Sequence, residues 1–422
     1  MVLRRGLAVV TVLVSTLIPV GHSVASAETL PPLKQAFFNE PLTAIEAFSL
    51  HTPGAPSQIT TAIVDLVGSA SNRATIRIAI YKAILSSVPT DVDVVIDALR
   101  TAAARGVTIK ILADQKTKNS SANAFAALDS ESNNVTVHYC NGGCYTGQSI
   151  MHNKFLLVDD TVWTTSQDED VVLQMTSNWT WLQLDAHYWN SAMQVWGDNQ
   201  LYNGYAAYFD GLYACGNVTP SHCTGYPTQA YSGATATLNT FPQQSGDPVK
   251  SEINNLACAR LSGGGNPAID IAVGTWDIST RGNELAAALD ARQNCSTQVT
   301  TQIRIVIPAT SAQRQNLINL GLAPHCSTGT DEDEDPNFQL GDSPYPAVHS
   351  KYMLISGVWN GASGDSRLVF TGSENFADNA LTANDETWLR SWTVGSSDAS
   401  NLEMYYEYEA NFDRLFAESP LC

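Results

Sequence analysis

Two segments of this chain repeat one another: Met151-His152-Asn153-Lys154-Phe155-Leu156-Leu157-Val158-Asp159 and Val348-His349-Ser350-Lys351-Tyr352-Met353-Leu354-Ile355-Ser356. Each reads H-x-K followed by four apolar residues. In a strand, side-chain alternation sets the His and Lys on one face, and the apolar run carries on into a core. An asparagine follows each histidine at the same distance: Asn178 lies 26 residues after His152, and Asn375 lies 26 residues after His349. Each asparagine comes just after a β-rich run, Val171 to Met175 and Leu368 to Thr371, and each has a hydroxyl two residues before it, Thr176 and Ser373. One H-x-K carries little weight, because short motifs recur by accident. Two copies with an asparagine at one offset constrain the chain to two like halves.

The stretches before the motifs agree. Ile76, Ile78 and Ile80 alternate as a half-buried strand does. Thr90 and Asp93 form a capping-box pattern ahead of Val94, Val95, Ala98 and Leu99 at helical spacing, Gly106 stops the helix, and Val107 to Leu112 reads as the next strand, ending at Asp114. The pattern returns as a strand at Ile269–Val273, a helix at Asn283–Arg292 and a strand at Ile303–Ile307 that ends at Pro308. Strand–helix–strand units favour a parallel sheet covered by helices. The expected fold is therefore α/β, with two similar halves over 28–235 and 236–422 and a join in the Pro-, Gly-, Ser-, Thr- and Gln-rich stretch near 225–245.

The repeated residue types suit one kind of chemistry. A phosphodiester is anionic and resists attack. Lysine and asparagine donors hold its non-bridging oxygens and stabilise charge in the transition state. A neutral imidazole can attack phosphorus and form a covalent intermediate. A second, protonated imidazole gives its proton to the leaving alkoxide and then activates the incoming water or alcohol. Such a scheme needs no metal and no cofactor, and none is expected.

On these residues the chain resembles the phospholipase D, or HKD, superfamily. The resemblance covers the chain beyond its leader in outline and is sharp at 151–178 and 348–386. It implies two α/β sandwich halves packed as a pseudo-dimer with one active site at their interface, and a phosphohistidine intermediate. Carried over by motif, His152, Lys154 and Asn178 come from the first half, and His349, Lys351, Asn375 and Glu386 from the second, with Asp159, Thr176 and Ser373 in support.

Two positions depart from that pattern. Ser356 stands where the second motif has Asp, a residue expected to be mainly structural. Asn190, with Ser191 beside it, falls where Glu386 falls in the second half. A carboxylate partner raises a histidine's pKa. With Glu386 taken as the partner of His349, His349 is expected to be the resting acid and His152 the neutral nucleophile, with Asp185 and His187 as substitute orienters.

Composition sets the setting. Arg4 and Arg5, an apolar run from Leu7 to Val20, and Ala25-Ser26-Ala27 read as a signal peptide over 1–27, with export and cleavage near Glu28. Loss of the leader takes the formal charge from −19 to −21, an acid excess that disfavours nucleic acid through long-range repulsion. The expected partners are a phospholipid at a membrane or micelle surface and a water or alcohol acceptor, acted on by a soluble, secreted monomer. Eight cysteines in an exported chain point to disulfides, with Cys140/Cys144 and Cys215/Cys223 as local staples and Cys258, Cys295, Cys326 and Cys422 left unpaired by the sequence. A zinc site using His222 and His325 lacks C-x-x-C spacing. Trp179, Trp181, Tyr188 and Trp189 read as core packing or, in the sharper reading, as a wall for a quaternary ammonium headgroup or lipid. The run Asp331–Asp335 reads as a solvated loop; it has hard-oxygen ligands for calcium but not EF-hand spacing.

Overall fold

Strands and helices alternate along the chain and gather into two sheets. The computed structural model describes residues 34–41, 56–163, 170–185, 187–217, 223, 225–234, 236–327, 347–394 and 399–422. Residues 1–27, read above as a leader, His222 and the run Asp331–Asp335 lie outside the described residues. The first sheet comprises β1 (Lys34–Asn39), β2 (Thr75–Ile80), β3 (Thr108–Asp114), β4 (Val135–Cys140), β5 (Lys154–Val158), β6 (Val171–Met175) and β7 (Asn190–Trp196) in the order β1-β7-β6-β5-β2-β3-β4. The second comprises β8 (Ala230–Ser232), β9 (Ala236–Thr240), β10 (Ala268–Val273), β11 (Gln302–Pro308), β12 (His325–Ser327), β13 (Lys351–Gly357), β14 (Ser366–Gly372) and β15 (Thr387–Val394) in the order β12-β11-β10-β13-β14-β15-β9-β8. Six strands share one order in both sheets, from β4 to β7 and from β12 to β15. The second sheet begins at Ala230, inside the stretch read as the join.

The sheets are mixed rather than parallel, which corrects the expectation from the strand–helix–strand units. Only β2-β3-β4 and β10-β11-β12 run parallel; each motif strand pairs antiparallel on both sides. The crossover helices explain the parallel part. Helix α1 (Gln58–Ser69) precedes β2, helix α2 (Asp91–Ala104) joins β2 to β3, and helix α3 (Asn199–Cys215) follows β7. Helix α4 (Thr280–Gln293) joins β10 to β11, and helix α5 (Ala399–Glu418) follows β15. The capping box at α2 forms, with the Thr90 amide donating to Asp93 Oδ2 at 2.8 Å. Gly106 takes φ +100° just past the helix, a conformation that disfavours a Cβ. At α4 the Ser279 hydroxyl accepts from the Gly282 amide.

Alternation along the motif strands assigns the cores. Leu156 and Val158 join a first-half core with Ile63, Val95, Leu99 and Ile111, and Met353 and Ile355 join a second-half core with Leu285, Leu289 and Ile305. The opposite faces meet in a third core shared by both halves, where Phe155 and Leu157 pack with Tyr352 and Leu354 around Tyr205, Tyr208 and Phe209 of α3 and Tyr405, Tyr408 and Phe412 of α5. Fully burying side chains of this size is worth about 1.5–3 kcal/mol each. The shared core thus joins the halves as firmly as a domain interior would, and 32–422 forms one unit. Buried polar groups fix the register across it. The Oε1 atom of Gln174 accepts from Tyr205 Oη at 2.8 Å and from Thr387 Oγ1 at 2.9 Å, and Tyr208 Oη donates to the Phe241 carbonyl at 2.8 Å.

All eight cysteines are oxidised. Cys140–Cys144 and Cys215–Cys223 are the local staples expected, and the remaining pairs are Cys258–Cys295 and Cys326–Cys422. No cysteine is left as a thiolate ligand for zinc.

Candidate active site

The pairing register brings one end of several strands to each motif. Lys154 faces Ile80 at the end of β2, and Phe155 faces Gln174 near the end of β6. Lys351 faces Val273 at the end of β10, and Tyr352 faces Thr371 near the end of β14. His152, Lys154 and Asn178 therefore share one edge of the first sheet, and His349, Lys351 and Asn375 share the same edge of the second. Two short bridges, Met151 to Asp385 and Trp189 to Val348, stitch these edges together across the halves. The His152 amide donates to the Asp385 carbonyl at 2.9 Å, and the His349 amide donates to the Trp189 carbonyl at 3.0 Å.

This stitching exchanges the partners of the histidines. Nδ1 of His152 lies 2.9 Å from both carboxylate oxygens of Glu386, and Nδ1 of His349 lies 3.0 Å from Oδ1 of Asn190. Each ring is held by the opposite half. Glu386 does not pair with His349, so the inference that His349 is the carboxylate-supported acid is corrected. The reason is topological: Asp385 takes the His152 amide, which places its neighbour beside the first ring. The substitute orienters are corrected too, since Asn190 itself fills the place beside His349. Asp185 Oδ1 instead accepts from the Asp91 amide at the start of α2, and burial pushes its carboxyl up to about 7.

The supporting hydroxyls orient these partners. Thr176 Oγ1 donates to Asn190 Oδ1 at 3.1 Å and accepts from the Ser191 amide at 2.9 Å. Ser373 Oγ accepts from the Thr387 amide at 3.1 Å and meets the Glu386 carboxylate, which also accepts from Asn384 Nδ2 at 2.9 Å. With Nδ1 of each ring engaged by an oxygen, Nε2 is the nitrogen left to react. Nδ2 of Asn190 is buried without a hydrogen-bond partner.

Burial dominates the electrostatics. It holds the His152 imidazole down at about 4, against the upward pull of Glu386, with Lys154 and Lys351 pushing the same way as burial. His349 is held well below the ordinary histidine value by burial, then by Lys351, Lys154, His152 and Lys82. Burial pushes Glu386 up, but His152 and Lys154 outweigh it and the carboxyl stays below its usual value. The resting site thus pairs a carboxylate with a neutral imidazole. Residues of both halves act on each ring, so the two histidines lie within one electrostatic neighbourhood. The lysines are buried; Nζ of Lys154 donates to the His152 carbonyl at 2.8 Å, and Nζ of Lys351 donates to the His349 carbonyl at 2.8 Å and lies 3.3 Å from His349 Nε2.

The other expected residues divide. Asn178 is buried, its amide donating to Gln183 Oε1 at 2.6 Å, and Asn375 is half-buried in a loop whose carbonyl accepts from Arg281. Trp179 and Trp189 are sealed in the first-half and shared cores and cannot form a substrate wall, which corrects that reading for both. Trp181 and Tyr188 cluster with Leu182 and Ala347, and the Tyr188 ring stacks 6.5 Å from His349. Asp159 Oδ1 accepts from the Thr75 amide at 2.6 Å, and its other oxygen is 3.8 Å from Arg77. At the matching positions of the second half, Asp270 replaces Arg77 and Ser356 replaces Asp159. Asp270 is bound by Arg304 through two 2.7 Å contacts. Ser356 pairs with Ala268, two residues along β10 from Asp270 on the same face, so a carboxylate at 356 would lie diagonally across from Asp270, and the serine fits a charge reversal across the strand pair.

Sequence reading missed Tyr81 and Lys82, which follow β2 at the site edge. The Tyr81 ring stands 4.9 Å from the His152 ring. Its counterpart is Gly274, where a Cβ would come 3.2 Å from the His349 Cα and 3.3 Å from Lys351 Nζ. The signal available in the sequence was position alone: both residues immediately follow the strand that pairs with the motif.

Comparison with known proteins fits this geometry. Residues 63–213 match the family described as "Cardiolipin synthase, PLD-like domain". Phosphatidylserine synthase from Haemophilus influenzae Rd KW20 aligns with 86% of this chain and 85% of its own at 12% identity and a TM-score of 0.53. Polyphosphate kinase from Porphyromonas gingivalis aligns over 90% of this chain at 13% identity and a TM-score of 0.48, and this chain covers 56% of that enzyme's length. The phospholipase D family member Nuc from Salmonella typhimurium aligns with 44% of this chain and 97% of its own at 18% identity and a TM-score of 0.31. The search of curated proteins returned no match. The superfamily's members are phosphoryl-transfer enzymes, and the fold here is of that phosphodiesterase-like kind. Residues 63–213 thus carry a PLD-like domain, and the duplicated motif and two-sheet fold extend the resemblance to the phospholipase D superfamily over the rest of the chain.

Proposed function

We propose that this protein is a secreted phosphodiesterase that hydrolyses phospholipids, or exchanges their headgroup for another alcohol, through a phosphohistidine. The observation that carries the reading is the pair of cross-half contacts, His152 to Glu386 and His349 to Asn190, which engage Nδ1 of both rings and support Nε2 as the reacting nitrogen of each. Glu386 holds the His152 proton on Nδ1, and its charge offsets the imidazolium character that the ring gains when phosphorus bonds to Nε2. His152 therefore keeps the nucleophile's role, for a reason opposite to the one the sequence offered.

The steps balance simply. The lone pair on His152 Nε2 attacks phosphorus, and the bond to the leaving oxygen breaks as His349 Nε2–H protonates that oxygen. Neutral His349 then takes a proton from water or alcohol, whose oxygen attacks phosphorus while the phosphorus–nitrogen bond breaks. Lys154, Lys351, Asn178 and Asn375 hold the non-bridging oxygens. The anionic phosphate supplies the charge that burial denies His349, so this ring takes up its proton with the substrate.

The acid excess favours a small or zwitterionic phosphodiester over a polyanion, and Trp181 and Tyr188 beside His349 offer an apolar wall to a lipid. The four disulfides are consistent with an oxidising, extracellular setting. Incubation with phosphatidylcholine and ethanol, chelator present, is expected to yield phosphatidylethanol. DNA cleavage without a lipid product would replace this reading with a nuclease, and no turnover of any phosphodiester would replace it with a phosphate-binding protein.

A further inference from the structure

The loop between β4 and β5 clasps residues 383–386 of the opposite half. Thr146 Oγ1 donates to the Ala383 carbonyl at 3.0 Å, the amides of Cys144 and Tyr145 donate to the Asp385 carboxylate, and the Asp385 amide donates to the Ile150 carbonyl at 3.1 Å. One contact of this clasp leads to the reacting ring. The Ser149 hydroxyl donates to Oδ1 of Asn384, Nδ2 of Asn384 donates to Glu386 Oε1 at 2.9 Å, and Glu386 meets Nδ1 of His152.

Each link fixes the next. A carboxylate only accepts, so it draws Nδ2 of Asn384 towards itself and turns Oδ1 away. The Ser149 hydroxyl supplies the donor that Oδ1 then needs, which locks the amide. Nδ1 of His152 lies 2.9 Å from both oxygens of Glu386, so the ring alone does not fix the carboxylate's rotation. Asn384 on Oε1, with the Ser373 hydroxyl, does. Ser149 takes this place against its backbone preference. It is exposed, yet its φ is +58°, a conformation that glycine adopts freely and serine does not. Glycine would suit the turn better; the hydroxyl is what serine adds.

The duplicated fold shows which ring this pair serves. The His152 amide donates to the Asp385 carbonyl as the His349 amide does to that of Trp189, and Ile150 accepts from Asp385 as Ala347 does from Trp189. By this register Asn384 corresponds to Tyr188, and Ser149, three residues before its histidine, corresponds in sequence to Pro346. The hydroxyl and the amide thus accompany the charged Glu386, whereas neither is present beside the neutral Asn190.

We infer that Ser149 and Asn384 are positioning residues that hold the Glu386 carboxylate in line with Nδ1 of the nucleophile from an exposed loop of the opposite half. Their catalytic consequence rests on the phosphohistidine reading, whereas their hold on His152 is measurable without substrate. The groups that act on Glu386, or on which it acts, are His152, Lys154, Glu374, Asp385 and Tyr208, and Lys351 acts on the ring as well. A hydrogen bond to a carboxylate favours its charged form. Without the Asn384 donor the Glu386–His152 pair takes up its proton more readily, so the midpoint of His152 rises from about 4.

Two substitutions at one position separate this role from a structural one. Ser149→Gly relieves the backbone and removes the hydroxyl; Ser149→Thr restores the hydroxyl on a β-branched side chain that a positive φ disfavours. In the full-length protein, Ser149→Gly is expected to hold or raise Tm. It is expected to lower kcat on phosphatidylcholine in mixed micelles about tenfold, with KM within about twofold, as loss of a hydrogen bond to a charged group gives. The His152 midpoint, read from its ring-nitrogen shifts in the absence of substrate, is expected to rise by about half a unit or more. Asn384→Leu is expected to match it in kcat and midpoint. Ser149→Thr is expected to lower Tm yet return kcat and midpoint to those of the wild type. An unmoved midpoint in Ser149→Gly, or a kcat that follows Tm across the two Ser149 variants, overturns the inference. A raised midpoint with no turnover of lipid by the wild type keeps the hold on His152 and sinks the lipid reading; lipid turnover with an unmoved midpoint does the reverse.

Discussion

Glu386 belongs to the second half of the chain, yet both its carboxylate oxygens lie 2.9 Å from Nδ1 of His152 in the first. The motif histidine and the group that fixes its tautomer come from different halves, so neither half alone holds the complete nucleophile proposed above. Glu386→Gln keeps the shape but removes the charge that supports the phosphorylated ring. A fall in kcat of about 10²-fold or more is expected, with little change in Tm. A variant that keeps kcat within about twofold would show that the carboxylate only packs.

The pH dependence follows from the two rings. His152 attacks when neutral, so activity is lost as pH falls through about 4. His349 donates when protonated, and its pKa lies below 6.5 in the free enzyme, so kcat/KM is lost as pH rises through that lower value. An acidic optimum below pH 6.5 is expected. Asn190→Asp replaces the unpaired Nδ2 with a carboxylate oxygen beside His349 and is expected to move the alkaline limb upward by about a unit or more, leaving the acid limb in place. An unmoved alkaline limb would remove His349 from the acid's role.

Restoring the motif's aspartate is expected to harm the protein. Ser356 is buried against Tyr405 and stands diagonally across the strand pair from Asp270, opposite Ala268. Ser356→Asp places a second carboxylate near that one and is expected to lower stability by about 1–3 kcal/mol without raising kcat, as read by urea unfolding and turnover together. Removal of Asp270 in the same chain, by Asp270→Asn, should recover part of the loss.

The disulfides differ in the loops they close. Cys326 and Cys422 are 96 residues apart, whereas Cys140 and Cys144 are 4 apart. Replacement of the first pair by serine is expected to cost about 4–5 kcal/mol and of the second about 2 kcal/mol, by loop-closure entropy. The shorter bridge has another duty. The amides of Cys144 and Tyr145 donate to the Asp385 carboxylate, next to Glu386. Cys140→Ser with Cys144→Ser is therefore expected to lower kcat more than its stability loss accounts for, and the Cys326–Cys422 replacement is not.

Much of this was legible in the residues. The H-x-K copies, their asparagines and the strand–helix–strand units placed both motif strands and both crossover helices, because alternation and capping are local. The partners of the rings were not legible, since they depend on which half's loop crosses to which. Asp385 taking the His152 amide is a contact between positions 233 apart, and no local pattern encodes it. Trp179 and Trp189 misled for the same reason: an aromatic near a motif asparagine looks alike in sequence whether it lines a cleft or fills a core.

The shared phosphorus centre is tested most directly by trapping it. A rapid quench of the full chain turning over a radiolabelled phosphodiester, with alkaline workup to preserve phosphoramidates and peptide mapping, should find phosphorus on His152, accumulating when His349→Ala removes the proton relay. Label on His349, or a complete turnover with no covalent adduct, would contradict it.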